Sequence, residues 1–205
     1  MRGRVGAGLL TAALVALPAH AFAEETSPEA ATGIESLVSV QEIGLQGGIA
    51  AGGRVTPGGV HLSAWHLYQL SDTDWFDGGI GFVFGSNTAS CFRDRQNQVL
   101  CDHGLASGFA GKLSIGVRRW LRSQGRFIPY VRGGFAAGVA TFSKDEVVGL
   151  SLPLWIGAGV RARVSDGVAL TGGATVEGGV GWYSRGLGME PIAALVIFAG
   201  ADFGL

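Results

Sequence analysis

Three short constellations in this chain carry residue types able to do chemistry. His61-Leu62-Ser63 sets an imidazole and a hydroxyl two residues apart, so on an extended chain both point to one face, the pairing a serine hydrolase uses. Such a pair needs a carboxylate to orient the imidazole. The segments expected beside it, near Arg54 and near Phe84-Gly85, offer neither Asp nor Glu. Asp72, Asp74 and Asp77 resemble part of a calcium loop but lack its turn Gly and its closing bidentate Glu. His103 beside Asp102 makes two metal ligands, too few for a site. The glycine clusters Gly44-Leu45-Gln46-Gly47-Gly48 and Gly172-Gly173 have no helix or Lys after them to cradle a phosphate. The expectation is no catalytic residue, no metal and no cofactor, with His61 and Ser63 as polar strand positions.

The elements that would hold these residues are strands. From Ile43 to Leu205 the chain repeats one pattern about eight times: a run alternating apolar with small or polar residues, then a turn. Strands are expected near 40–54, 59–70, 75–86, 107–122, 126–142, 150–164, 168–182 and 190–204. Ser71-Asp72-Thr73-Asp74, Ser123-Gln124-Gly125 and Ser165-Asp166-Gly167 are tight turns, and Thr56-Pro57-Gly58-Gly59 is another short connection. The connections at about 87–106, 143–149 and 183–189 are longer. Runs of this length suit a tilted membrane crossing, and only a closed sheet satisfies every backbone N–H and C=O in lipid.

Alternation alone does not distinguish a soluble sheet from a membrane barrel, whose apolar face is outside. The polar face separates them. Phe109, Leu113, Ile115 and Val117 oppose Ala110, Lys112, Ser114 and Arg118, while Leu150, Leu152, Leu154 and Ile156 oppose Ser151, Trp155, Gly157 and Gly159. Charges on the polar face are sparse and diluted by Gly, Ala, Ser and Thr, which suits the narrow interior of eight strands. Trp75, Phe76, Trp120, Phe127, Phe142, Trp182 and Tyr183 lie near strand ends, where interfacial girdles belong. The expected lumenal polar set is Asp77, Lys112, Arg118, Tyr130, Arg132, Arg161, Arg163, Glu177 and Asp202, with Trp65 and Trp155 also inward and Arg118 opposite Tyr130. Five cations against three anions would favour an anion-preferring pore if the lumen conducts, and a solid polar core otherwise.

The start of the chain sets its compartment. Arg2 and Arg4, the apolar run Leu9 to Leu17, Pro18 and Ala21-Phe22-Ala23 read as a signal peptide cleaved after Ala23. Residues 24–36 are acidic, unpatterned and read as a flexible lead-in, leaving 37–205 as one domain. Removing Arg2 and Arg4 takes Lys+Arg from 15 to 13 against 16 Asp+Glu, no basis for nucleic-acid binding. Cys91 and Cys101 are the only cysteines, and two in an exported chain favour a disulfide across the long loop.

The chain resembles the small eight-stranded outer-membrane barrels typified by the OmpA barrel, OmpX and OmpW. Ile128-Pro129-Tyr130-Val131-Arg132-Gly133-Gly134-Phe135 is similar to the opening of a mid-barrel strand in that family. Leu195 to Leu205 resembles the terminal strand read by the barrel-assembly machinery, here with Phe203 third from the end and Leu205 last. The resemblance covers residues 37–205 and implies an antiparallel up-and-down transmembrane barrel in the bacterial outer membrane. Implied partners are membrane lipid and lipopolysaccharide, the assembly machinery, and an extracellular partner at the loops. With no catalytic constellation and a lumen read as filled, elimination leaves a structural or surface-interaction role as the expectation. The other readings are a narrow pore and, through the His-x-Ser pattern, a hydrolase similar to lipid A deacylases.

Overall fold

The computed structural model describes residues 41–53, 55–85, 90–93, 96, 98–102, 108–121, 126–142, 146–165 and 167–205, with the backbone alone at 90–93 and 99–102. The Ala23 cleavage site, the 24–36 lead-in and His103 lie outside these residues. Ten strands form among the described residues: β1 (Gln41–Gly52), β2 (Gly59–Gln69), β3 (Asp74–Phe84), β4 (Ser90–Arg93), β5 (Val99–Asp102), β6 (Phe109–Trp120), β7 (Phe127–Phe142), β8 (Val147–Ser165), β9 (Val168–Tyr183) and β10 (Gly188–Gly204). Eight of them close into an antiparallel barrel in the order β1-β10-β9-β8-β7-β6-β3-β2, and β4 and β5 form a separate hairpin. β1 pairs with β10 from Glu42↔Gly204 to Gly52↔Ala194, so neither terminal strand leaves an open edge.

Period-two side-chain alternation becomes an outside and an inside. Leu113, Leu154, Ile156 and Ile197 are 60–69% exposed on the outer wall, while Asp77, Arg118, Tyr130 and Asp202 are at most 1% exposed within. A water-soluble sheet would arrange these two sets the other way round. The shortest barrel strands have 11 residues, enough for the 9–11 of a tilted crossing. The chain is a transmembrane β-barrel.

The structure corrects several expectations. β8 starts at Val147 and β10 at Gly188, so the loops before them are shorter than the sequence suggested. The first connection runs over 53–58, longer than the expected four-residue turn, and the long loop contains the β4–β5 hairpin. The aromatic girdle is half inverted: Phe127 and Trp182 face out, but Trp75, Trp120, Phe142 and Tyr183 are buried inside. Parity is the reason, since Trp75 is two residues from Asp77 and Trp120 two from Arg118 on the inward face. Glycine seats some of these rings. A Cβ on Gly44 would overlap the Trp65 ring, and one on Gly159 would overlap the Tyr130 phenol.

Depth-dependent cost is the test of this wall. Leu154→Arg, near mid-strand, is expected to lower the folding free energy into vesicles by about 2–4 kcal/mol, and Val164→Arg, at the strand end, by about 0–1 kcal/mol. Equal small effects in urea titrations would contradict a lipid-facing position for Leu154.

Candidate functional site

The lumen gathers side chains from all eight barrel strands. Alternation on β3, β6, β7, β8 and β10 puts Asp77, Arg118, Arg132, Arg161 and Asp202 on one inner surface, with Glu42 from β1, Trp65 from β2 and Thr171 from β9. Arg118 Nη2 lies 3.0 Å from Asp77 Oδ2, and its Nε donates to the same oxygen at 3.1 Å. Arg132 Nε lies 3.3 Å from that oxygen, and Arg161 Nη2 donates to Glu42 Oε1 at 2.7 Å. Asp202 Oδ2 sits 3.9 Å from both Arg118 Nη1 and Arg161 Nε.

Aromatic faces complete the enclosure. The Arg118 guanidinium carbon is 4.9 Å from the Tyr130 ring centroid, 5.4 Å from Trp65 and 5.7 Å from Trp120. Arg132 stacks on Trp155 at 4.7 Å and Arg161 on Trp120 at 5.2 Å. Tyr130 Oη shares a 3.0 Å hydrogen bond with Thr171 Oγ1. Guanidinium is the cation suited to this setting, because its flat, weakly hydrated faces stack while its edges bind carboxylates. Below the charges Leu67, Trp75 and Ile128 close one end of the lumen.

Midway up, Lys112 of β6 pairs with Glu177 of β9. Beside this pair lies a cavity of about 40 Å³ lined by Gln46, His61, Ser63, Arg132 and Trp155, room for about two waters. The other end is apolar. Val55 and Pro57 in the 53–58 connection are buried, and Val55 packs with Phe142, Val147, Tyr183, Leu187 and Ile192. Among the described residues the lumen is thus packed with an ionic and aromatic layer at one end and an apolar cluster at the other.

Two lumenal expectations are corrected. Arg163 is exposed although it keeps the register of Arg161 and pairs with Ala169, because it lies two residues from the end of β8, at the rim of the barrel. Arg118 faces Arg132 rather than Tyr130, which faces Trp120. Sequence reasoning also missed Glu42 and Glu190, 6% and 5% exposed inside the barrel. Their parity with Gln46 and Asp202 was the available signal. With them in and Arg163 out, the described lumen holds four cations (Lys112, Arg118, Arg132, Arg161) against five carboxylates (Glu42, Asp77, Glu177, Glu190, Asp202). The expected cationic excess is gone.

His61 and Ser63 do share the inner face. His61 pairs with Val83, beside the expected Phe84-Gly85, and with Gly48, six residues from the expected Arg54. Glu177 lines the same cavity from across the lumen, held by Lys112. His61 Nδ1 and Ser63 Oγ have no hydrogen-bond partner among the described residues, so no relay links them. No group of three His, Cys, Asp or Glu among the described residues could hold a metal ion.

Adjacent arginines test the energetics. Arg118 is buried among carboxylates, whereas Arg119 points outward to Asp74 and is 61% exposed. Arg118→Met is expected to destabilise the barrel by about 3–5 kcal/mol by stranding Asp77, and Arg119→Met, which breaks a solvent-screened pair, to leave the urea midpoint close to the parent's. Equal shifts in urea midpoints would contradict the network.

Neither a protein-family model nor a curated protein sequence matches this chain. Solved structures do. Neisserial surface protein A superposes with a TM-score of 0.59 at 12% identity, over 80% of this chain and 96% of that one. The attachment invasion locus protein Ail of Yersinia pestis, in complex with the heparin analogue sucrose octasulfate, gives 0.46 at 12% identity over 80% and 99%. A major outer membrane protein from Thermus thermophilus gives 0.46 at 14% over 82% and 100%. At these identities the likeness is one of fold: this chain shares the architecture of the small eight-stranded outer-membrane β-barrels.

Proposed function

We propose that this protein is a sealed barrel of the bacterial outer membrane, with a structural and surface-interaction role exercised through its loop end. The observation that carries the reading is the double closure of the lumen: the Arg118–Asp77–Asp202 layer at one end and the Val55–Phe142–Tyr183 cap at the other. The signal-like start at Met1 to Ala23 supports export, and the even strand count sets both termini on one side of the membrane, in this reading the periplasm, with the β4–β5 hairpin on the other. Lipid and lipopolysaccharide surround the wall in this reading, the assembly machinery inserts it, and an extracellular partner meets the loops.

A pore reading loses its support with the charge balance of the lumen, and a hydrolase reading with the burial of His61 and Ser63 away from lipid. Purified barrel in planar bilayers is expected to give no defined conductance steps. Discrete steps that change size in Arg132→Ala would overturn the sealed reading in favour of a pore.

The displayed hairpin is the part a partner would meet. Its backbone register sets Cys91 directly opposite Cys101. Antiparallel partners bring their Cα atoms to about 4.5–5.5 Å, within the span of a disulfide. We expect one such bond, closing an 11-residue loop and stabilising it by about 3 kcal/mol in the chain-entropy model. Both thiols of the exported protein should resist alkylation until a reductant is added. Two thiols alkylated without reductant would remove the crosslink from the account.

A further inference from the structure

The outer wall is not uniformly convex. Between β6, β7 and β8 lies a groove of about 580 Å³ on the lipid side, with Gly111 and Ala137 as its small-residue floor and Phe82, Leu113, Leu152 and Trp182 among its walls. A volume of this size falls in the range of small-molecule sites, roughly 300–1,000 Å³. The surrounding side chains belong to the exposed apolar belt: Leu113 is 64% exposed, Leu152 53% and Trp182 47%.

The ladder behind the groove is interrupted. β7–β8 pairing stops at Phe135↔Leu154 and resumes at Gly138↔Ser151. Pro153, which has no N–H to donate, lies in the interval. A second cavity, inside the barrel, shares Gly111, Lys112, Val139 and Ser151 with the groove, so only a thin wall separates the two. A strip of wall that lacks both bulky outward side chains and continuous pairing leaves a concavity in hydrocarbon, where backbone polar groups are costly to expose.

We propose that this groove is a binding site for one acyl chain of a lipid in the leaflet on the loop side. The proposal rests on the transmembrane fold and extends the lipid contact of the apolar belt, with which the groove is continuous. Position defines the occupant. Trp182 is the second-last residue of β9 and pairs with Leu150, near the strand ends that carry the longer loops. Tryptophan at that level belongs to the membrane–water boundary. Through the ladder Gly111–Val139–Leu150–Trp182 the floor begins level with Trp182, and Leu152 and the paired Leu113 and Ala137 lie two residues deeper. A chain hanging from a headgroup beside Trp182 would run down this floor with its methylenes against Leu113 and Leu152. The concavity, floored by Gly111 and Ala137 and flanked by Phe82, Leu113 and Leu152, gives the chain more contact than a flat stretch of wall gives a passing annular lipid.

The tryptophan distribution supplies the probe. Trp65, Trp75, Trp120 and Trp155 are buried in the lumen, and Trp182 alone among the five faces out. The purified full-length protein in detergent is titrated with a phospholipid brominated along its acyl chains, and Trp182 fluorescence is followed. Saturable quenching at one lipid per barrel is expected. Gly111→Leu, whose added Cβ would meet Phe82 at an ordinary 3.5 Å, should weaken that quenching at least 10-fold. Ala137→Leu should do the same, and Ala137→Ser, which keeps the floor low, should bind like the parent. Far-UV circular dichroism confirms that each variant is a barrel. Quenching that rises linearly without saturation, and equally in Gly111→Leu, would overturn the site in favour of annular lipid. Spontaneous crosslinking of Ala137→Cys into dimers in bilayers would overturn it in favour of a second copy of the chain.

Discussion

A sheet in hydrocarbon has no water to satisfy its edges, and the pairing of β1 with β10 answers that constraint here. Eleven register pairs from Glu42↔Gly204 to Gly52↔Ala194 join the first strand to the last. Once they form, each residue of the wall is committed to the lumen or to lipid. The sequence can then be uniformly apolar outside only if everything else it carries fits inside. Eight strands enclose little more than the width of their own side chains, so the interior becomes a packed core with polar contents.

That inversion explains the chemistry of the interior. Charged groups removed from bulk water need partners at short range. Asp77 serves two arginines, Arg118 and Arg132, and Asp202 stands between Arg118 and Arg161. Ring faces from Trp65, Trp120, Tyr130 and Trp155 fill the space that the ion pairs leave. The partners come from strands far apart in sequence, so the network couples the walls across the lumen. The far end uses a cheaper device, an apolar cap folded in from the 53–58 connection. On the proposed sealed reading, the loop end and the lipid-facing wall are the surfaces able to meet other molecules.

Much of this fold was legible because period two is local: it needs only neighbouring residues, and it put Arg118, Asp77, Tyr130 and Asp202 inside before any pairing was known. Pairing is not local. Moving a turn apex by one residue shifts the register by two, which is why Arg118 meets Arg132 and not Tyr130. Arg163 keeps the parity of Arg161 and pairs with Ala169; its exposure comes from its place at the end of β8, which alternation does not reveal. Glu42 and Glu190 were readable by a strict parity count. The inward turn of Trp75, Trp120, Phe142 and Tyr183 follows from the same parity, which overrides the boundary position that aromatic type suggests. The groove at Gly111 and Ala137 depends on three strands side by side and has no signature within any one of them.

Spin labels placed singly along residues 193–199 of β10, in lipid bilayers, test the inside-out arrangement most directly. The account predicts that relaxation by oxygen, which concentrates in hydrocarbon, peaks at Leu195 and Ile197 and dips at Val196 and Phe198. The opposite phase, or a water-soluble relaxant reaching Leu195 and Ile197, would contradict it.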